Sequence, residues 1–192
     1  MKHEHGGRSS VELIDGRKLL AALDIAEGDT LLDAGCGDGY LAVIASGIVG
    51  RSGIVYAVDV LEVSLARLRD EIERKGITNL KPVRADITDT IPLSDAAVGV
   101  CLLVNVLHGF VVNGEDGKAL EEIARVLRRD GRLVVVEFKK TDDGVAADAP
   151  GPPMSHRVSR REATELIVPF GFVKEETFDA GPHHYAIVFR KR

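Results

Sequence analysis

Tryptophan is absent from this 192-residue chain, aromatic residues make up only 5% of it, and cysteine occurs twice. Two cysteines, Cys36 and Cys101, are too few for a secreted disulfide framework or a four-cysteine metal site. Both stand in strand-like surroundings, where cysteine mostly serves as a small apolar filler. Long apolar runs are missing too: no stretch of about 18 or more uncharged apolar residues exists, so no membrane-spanning helix is expected. The opening residues, Met1-Lys2-His3-Glu4-His5-Gly6-Gly7, lack the apolar segment of a signal peptide, and a cytoplasmic location is expected. Nor is positive charge in excess. With 25 basic and 30 acidic side chains the formal charge is −5, which argues against a nonspecific nucleic-acid binder. What is present is 45% apolar residue content, enough for one self-sufficient core, and the expected organisation is a single domain over 1–192.

Along the chain the hydrophobic period switches repeatedly. Ser9 and Glu12 have capping-box spacing, and Val11, Ile14, Leu19, Leu20 and Leu23 follow on one face, which predicts a helix ending before Gly28. Thr30 to Asp33 reads as a strand leading into a glycine turn, and Tyr40 to Ala45 as the helix behind it. Ile54 to Asp59 is a continuous apolar run of the kind buried on both sheet faces, followed by a helix over Ser64–Lys75 that stops at Gly76. Leu80–Ala85 and Ala97–Val104 are the third and fourth strands. A helix carrying Leu120, Ile123, Ala124 and Leu127 then stops near Gly131, before a fifth strand over Arg132–Glu137. Five strands separated by helices indicate a doubly wound parallel α/β sheet. The 141–158 stretch, rich in Asp, Gly, Ala and Pro, reads as a mobile loop on the substrate side. Ser159 and Glu162 repeat the capping-box spacing, and Val173–Phe178 with Tyr185–Phe189 form a closing antiparallel hairpin.

The sharpest local signal is Asp33-Ala34-Gly35-Cys36-Gly37-Asp38-Gly39, at the end of one strand and the start of one helix. Glycines there let the backbone turn tightly and let a ligand approach closely. Asp59 ends the next strand, about 20 residues on, where a carboxylate can accept both hydroxyls of a ribose. A dinucleotide fingerprint would put its third glycine where Tyr40 stands, and Asp33 and Asp38 would repel a pyrophosphate. A cofactor with a cationic head and one ribose suits these charges better. S-adenosylmethionine is such a molecule.

At this point the chain resembles the class I S-adenosylmethionine-dependent methyltransferases over nearly its whole length. Asp33 through Gly39 match the family's first motif, Asp59 its ribose-binding acid and Ala85-Asp86-Ile87 its third motif. The fourth-strand segment ending in Leu107-His108, and the helix leading to Leu127-Arg128-Arg129-Asp130-Gly131, are of the same type. The resemblance implies a Rossmann-like seven-stranded sheet of order 3-2-1-4-5-7-6 with strand 7 antiparallel. Gly151-Pro152-Pro153 through Arg157-Val158-Ser159, and Gly181-Pro182-His183-His184-Tyr185, are most similar to small-molecule members related to the ubiquinone and menaquinone C-methyltransferases. By the same resemblance, Gly35, Cys36, Gly37 and Gly39 shape the cofactor turn, Asp33 positions the ammonium and Asp59 grips the ribose. Val60 and Leu61 pack on the adenine, while Ala85, Asp86 and Ile87 hold its edge and face. Asp59 and Asp86 could instead cap the helix after each strand.

Methyl transfer is an in-line displacement, so much of the acceleration comes from positioning, and a base is needed only when the acceptor must lose a proton. His108 and Asn105, after the fourth strand, and Glu137, at the end of the fifth, stand at the carboxyl edge where open α/β sheets place ligands. They are the catalytic candidates, and each could equally be a wall or strand-end residue. His156, His183 and His184, and His3 and His5, could reach the same edge. Their spacing is not that of a metal site, and no metal is expected. The expected function is methylation of a small-molecule acceptor, with residues 1–27 as a helical lid and with a homodimer left open. A nucleic-acid amino-methylase would carry Asn/Asp-Pro-Pro-Tyr/Phe where Asn105-Val106-Leu107-His108 stands, and an arsenic enzyme would need more cysteines. A noncatalytic cofactor-binding module and a nicotinamide-dependent Rossmann enzyme are the remaining alternatives.

Overall fold

The computed structural model describes residues 14–192. In chain order the elements are α1 (Gly16–Ala21), β1 (Thr30–Ala34), α2 (Tyr40–Val49), β2 (Ile54–Asp59), α3 (Glu62–Lys75), β3 (Leu80–Arg84), β4 (Val98–Val104), α4 (Leu107–Asn113), α5 (Asp116–Val126), β5 (Leu127–Phe138), α6 (Arg160–Ile167), β6 (Phe172–Asp179) and β7 (His184–Lys191). The seven strands form one sheet in the order β3-β2-β1-β4-β5-β7-β6. β7 pairs antiparallel to both β5 and β6, and the remaining pairs are parallel. The expected sheet order and the antiparallel last strand are therefore both present.

Both faces of the sheet are covered, which is why its central strands read as unbroken apolar runs. Leu32, Leu103, Leu133 and Ile187 pack with Leu120 and Ile123 of α5 and Ala163 of α6. Their strand neighbours Leu31, Leu102, Val134 and Ala186 pack on the opposite face with Leu20 of α1, Ala42 and Ala45 of α2 and Leu68 of α3. All seven residues of β4 are buried.

Several boundaries differ from the sequence reading for physical reasons. The continuous first helix is interrupted: Asp15 caps α1 through a hydrogen bond from the Lys18 N–H, and the helix ends at Ala21. The Ser9–Glu12 capping pair, His3 and His5 lie outside the described residues. α3 begins at Glu62, two residues earlier than expected, and stops at left-handed Gly76 as expected. α5 ends at Val126 rather than near Gly131, because Leu127 turns extended and pairs with Val98. Val100 then pairs with Arg132, so the intervening Arg128–Gly131 stretch bulges out of β5. The fourth strand does not continue to Leu107-His108. Asn105 adopts a left-handed backbone (φ 57°), the strand stops at Val104, and Leu107 starts a helix that the sequence reading did not contain. Ser159 and Glu162 do form the reciprocal capping box at the start of α6.

Candidate functional site

Parallel strands carried in one direction deliver their carboxyl ends to one edge, and the residues singled out above gather there on β1, β2, β4 and β5. The glycine turn follows β1 directly. Gly35 and Cys36 donate their N–H groups to the Val58 carbonyl at 2.8 and 3.0 Å, which ties the turn to β2. Gly39 is the left-handed residue (φ 79°) before α2, and a Cβ there would lie 2.4 Å from the Leu68 side chain. It is thus the glycine that lets α2 pack against α3. Tyr40 does not occupy that contact; its hydroxyl accepts from the Gly16 N–H of α1 at 3.3 Å. Gly37 (φ 54°) differs in kind, because a Cβ there would meet no atom within 4 Å. Its face of the turn is open, and a side chain would fill a cradle rather than clash with protein.

Asp59 is half-buried and braces this cradle. Its Oδ2 accepts from the Gly37 N–H and its Oδ1 from the Leu61 N–H, both at 2.8 Å. The helix-capping alternative is not what the acids do: the residue at the N-cap of α3 is Leu61, with no side-chain cap, and no helix follows Asp86. Asp86 instead closes a turn, its Oδ1 accepting from the Thr88 N–H (2.9 Å) and hydroxyl (2.7 Å). The Ala85 N–H donates to the Asp59 carbonyl, Ile87 is buried below, and Val60 stands 41% exposed beside them. Asp33, by contrast, lies under the turn at 3% exposure. Burial, opposed by a hydrogen bond from the Ala42 backbone and reinforced by Asp59, pushes its carboxyl up to about 7. Cys36 is half-buried and its thiol is pushed up by burial and by Asp33 and Asp59; Cys101 is sealed in the core. Asp38 is exposed.

The catalytic candidates form a second group on the same edge. Val106 lies against Gly35, its Cγ2 2.6 Å from the position of a Gly35 Cβ, and α4 begins at the next residue. In that first turn, His108 donates its backbone N–H to Glu137 Oε1 (3.1 Å), and its ring Nδ1 lies 2.7 Å from Oε2. The Glu137 side chain is 1% exposed and that of His108 19%. The carboxylate pulls His108 above the ordinary histidine range, against burial and the charge of Arg157. Phe138 closes the group from below, in edge contact with His108 at 6.3 Å and tilted against His184 at 4.1 Å. Asn105 donates its N–H to the Val136 carbonyl (2.8 Å), while its Oδ1 is buried without a partner.

His184 is fully buried opposite Phe138, both ring nitrogens lack partners among the described residues, and burial pushes it down to about 4. His156 is exposed, and among the described residues no cluster of three or more His, Cys, Asp or Glu could hold a metal ion. Arg157 and Phe138 were missed as site residues. Arg157 is 4% exposed and donates to the carbonyls of Lys139, Ala149, Pro150 and Pro152, so it fastens the 141–158 loop to the end of β5. A lone arginine in a Pro/Gly-rich loop was the available signal.

Comparison with known proteins agrees with this geometry. The family model described as a methyltransferase domain matches residues 32–135. A ubiquinone/menaquinone biosynthesis C-methyltransferase of Marinomonas is 31% identical over 127 residues, covering 66% of this chain and 49% of that protein. The chain spans about half the length of the curated relatives it matches. A solved S-adenosylmethionine-dependent methyltransferase from Aquifex aeolicus superposes with a TM-score of 0.85 at 27% identity, covering 96% of this chain and 93% of that one. The [4+2]-cyclase SpnF shares the fold, with a TM-score of 0.74 at 19% identity over 92% of this chain and 80% of its own. Among the described residues no helix is long and apolar enough to cross a membrane. From the sheet order, the glycine turn braced by Asp59 and a domain match spanning more than half its length, the chain belongs to the class I S-adenosylmethionine-dependent methyltransferases.

Proposed function

We propose that this protein transfers the methyl group of S-adenosylmethionine to a small-molecule acceptor at the carboxyl edge of its sheet. The observation that carries the reading is the open face of Gly37, held by the Asp59 carboxylate. The residues present fit the cofactor. Gly35, Cys36, Gly37 and Gly39 offer backbone at close range beside the uncapped start of α2, and Asp59 keeps lone pairs for the ribose hydroxyls. Val60 and Ile87 supply apolar surface for the adenine, with Ala85 and Asp86 at its edge. Asp33, a buried acid with no cation beside it, gains its charge when an ammonium arrives above the turn. Bound there, S-adenosylmethionine supplies a methyl group activated by its sulfonium.

The remaining chemistry belongs to the chain. Val106, Asn105, His108 and Phe138 form the wall facing the turn, orient the acceptor and keep water away from it. The 141–158 loop, fastened by Arg157, and the residues before β1 cover the acceptor side. The test is transfer of a tritiated methyl from S-adenosylmethionine into the small-molecule fraction of a cell extract. A labelled product supports the reading. Cofactor binding with no labelled product in any fraction would leave a binding module in its place, and label in nucleic acid or protein would move the acceptor class.

A further inference from the structure

We infer that Glu137 holds His108 as the base that removes the proton of an aromatic hydroxyl, so that the acceptor is a phenol-like molecule methylated on oxygen. The inference rests on the methyl transfer proposed above. A carboxylate only accepts hydrogen bonds, so the contact between Glu137 Oε2 and Nδ1 places the proton of the neutral ring on Nδ1. Nε2 is then the lone-pair nitrogen. Glu137 Oε1 is occupied by the His108 backbone N–H, so the carboxylate is spent on this one side chain and fixes it from two directions. Nε2 has no partner among the described residues, yet it is not among the sealed polar atoms that include Asn105 Oδ1 and both ring nitrogens of His184. It therefore faces the open side of the site. Val106, in contact with the Gly35 turn, begins the same short segment, so the imidazole and the cofactor turn share one wall.

The charges around the pair select the acceptor. Arg157 of the 141–158 loop opposes protonation of His108, Glu137 of β5 favours it, and Tyr185 of β7 lies within the field of Glu137. Lys139, at the end of β5, is paired to Asp179. No carboxylate is left to receive an ammonium, so a cationic amine acceptor is disfavoured, whereas an oxygen gaining negative charge is favoured by Arg157. Proton transfer works best between groups of similar acidity. A phenol, near 10 like tyrosine, lies within range of a histidine raised by a carboxylate, while an aliphatic hydroxyl near that of water, about 16, does not. Phe138, Val106 and Phe110 give the ring an apolar wall. In the step, the hydroxyl oxygen forms a bond to the methyl carbon as the carbon–sulfur bond breaks, and that bond's electron pair stays on sulfur. The hydroxyl proton passes to Nε2. Glu137 stabilises the resulting imidazolium until water takes the proton.

The experiment follows S-adenosylhomocysteine release with phenol and with 4-nitrophenol as probes, after binding of S-adenosylhomocysteine has been measured by calorimetry. His108→Gln is expected to slow phenol turnover on the order of 10²-fold, and to change 4-nitrophenol turnover less than about threefold near pH 9, where that probe is already ionised. Glu137→Gln is expected to move the acidic limb of the kcat profile for phenol to lower pH with KM little changed. Equal loss with both probes, an unmoved profile in Glu137→Gln, or no turnover of either probe by a wild-type protein that binds S-adenosylhomocysteine would overturn the inference. Failure to bind S-adenosylhomocysteine at all would instead overturn the proposed function.

Discussion

Asp33 offers a perturbation whose sign runs opposite to the usual behaviour of a carboxylate. Its side chain is buried at the end of β1, and burial raises its carboxyl from 3.8 to about 7. Between these values the folded protein holds a proton that the unfolded chain has released, so stability falls as pH rises through the window. The difference amounts to up to roughly 4 kcal/mol at about 1.36 kcal/mol per pH unit. Asp33→Asn keeps an oxygen to accept from the Ala42 backbone but cannot ionise. Urea midpoints measured for both proteins at pH 4.5, 6 and 8 give a stability difference in which all other titrating groups cancel. The variant is expected to gain on wild type as pH rises, by several kcal/mol in total, with the gain levelling above about pH 7. A constant offset of the variant would reflect its amide and carries no pH dependence. A difference that stays flat to within about 0.5 kcal/mol across the series would refute the placement of Asp33 as a buried, raised acid.

Other perturbations separate folding from ligand. Asp59→Ala is expected to weaken S-adenosylhomocysteine binding by about 1 to 3 kcal/mol in calorimetry, since it removes the acceptor that braces Gly37; unchanged affinity would place the ribose elsewhere. Gly39→Ala pushes a methyl into Leu68 and should cost about 1 to 3 kcal/mol of stability in a denaturant melt. Gly37→Ala meets no protein atom, so it should cost only the roughly 1 kcal/mol of a left-handed backbone while sharply reducing S-adenosylhomocysteine affinity. Equal behaviour of the two glycine variants in both assays would contradict the open face at Gly37. His184 is held down to about 4, so its contribution is present above about 6.5 and is lost as pH falls towards 4. His184→Leu should therefore gain up to roughly 3 kcal/mol on wild type between pH 7.5 and pH 4.5.

How much of this was legible in the sequence depended on what each residue's role rests on. The strands were visible because both sheet faces are covered, leaving β4 with seven buried residues and no polar interruption. The glycine turn and Asp59 were visible because their roles are local: a strand end, a tight turn and a helix start lie within one short stretch. α4 was not visible. Leu107-His108-Gly109-Phe110-Val111-Val112 continues the apolar run of β4, and only the left-handed backbone of Asn105 separates strand from helix. The end of α5 was hidden for a similar reason, because pairing of Leu127 with Val98 overrides the helical period. His108 and Glu137 were each singled out, but not as a pair, since they lie 29 positions apart and meet only through the arrangement of β4 and β5. Arg157 was invisible as an anchor because its partners are backbone carbonyls, which leave no pattern in side-chain chemistry.

Calorimetric titration of the full chain with S-adenosylhomocysteine, run beside NAD, tests the central claim most directly. The structure predicts saturable binding of one S-adenosylhomocysteine per chain, abolished or strongly weakened in Gly37→Ala, with no heat from NAD. Saturable NAD binding without any for S-adenosylhomocysteine would contradict it.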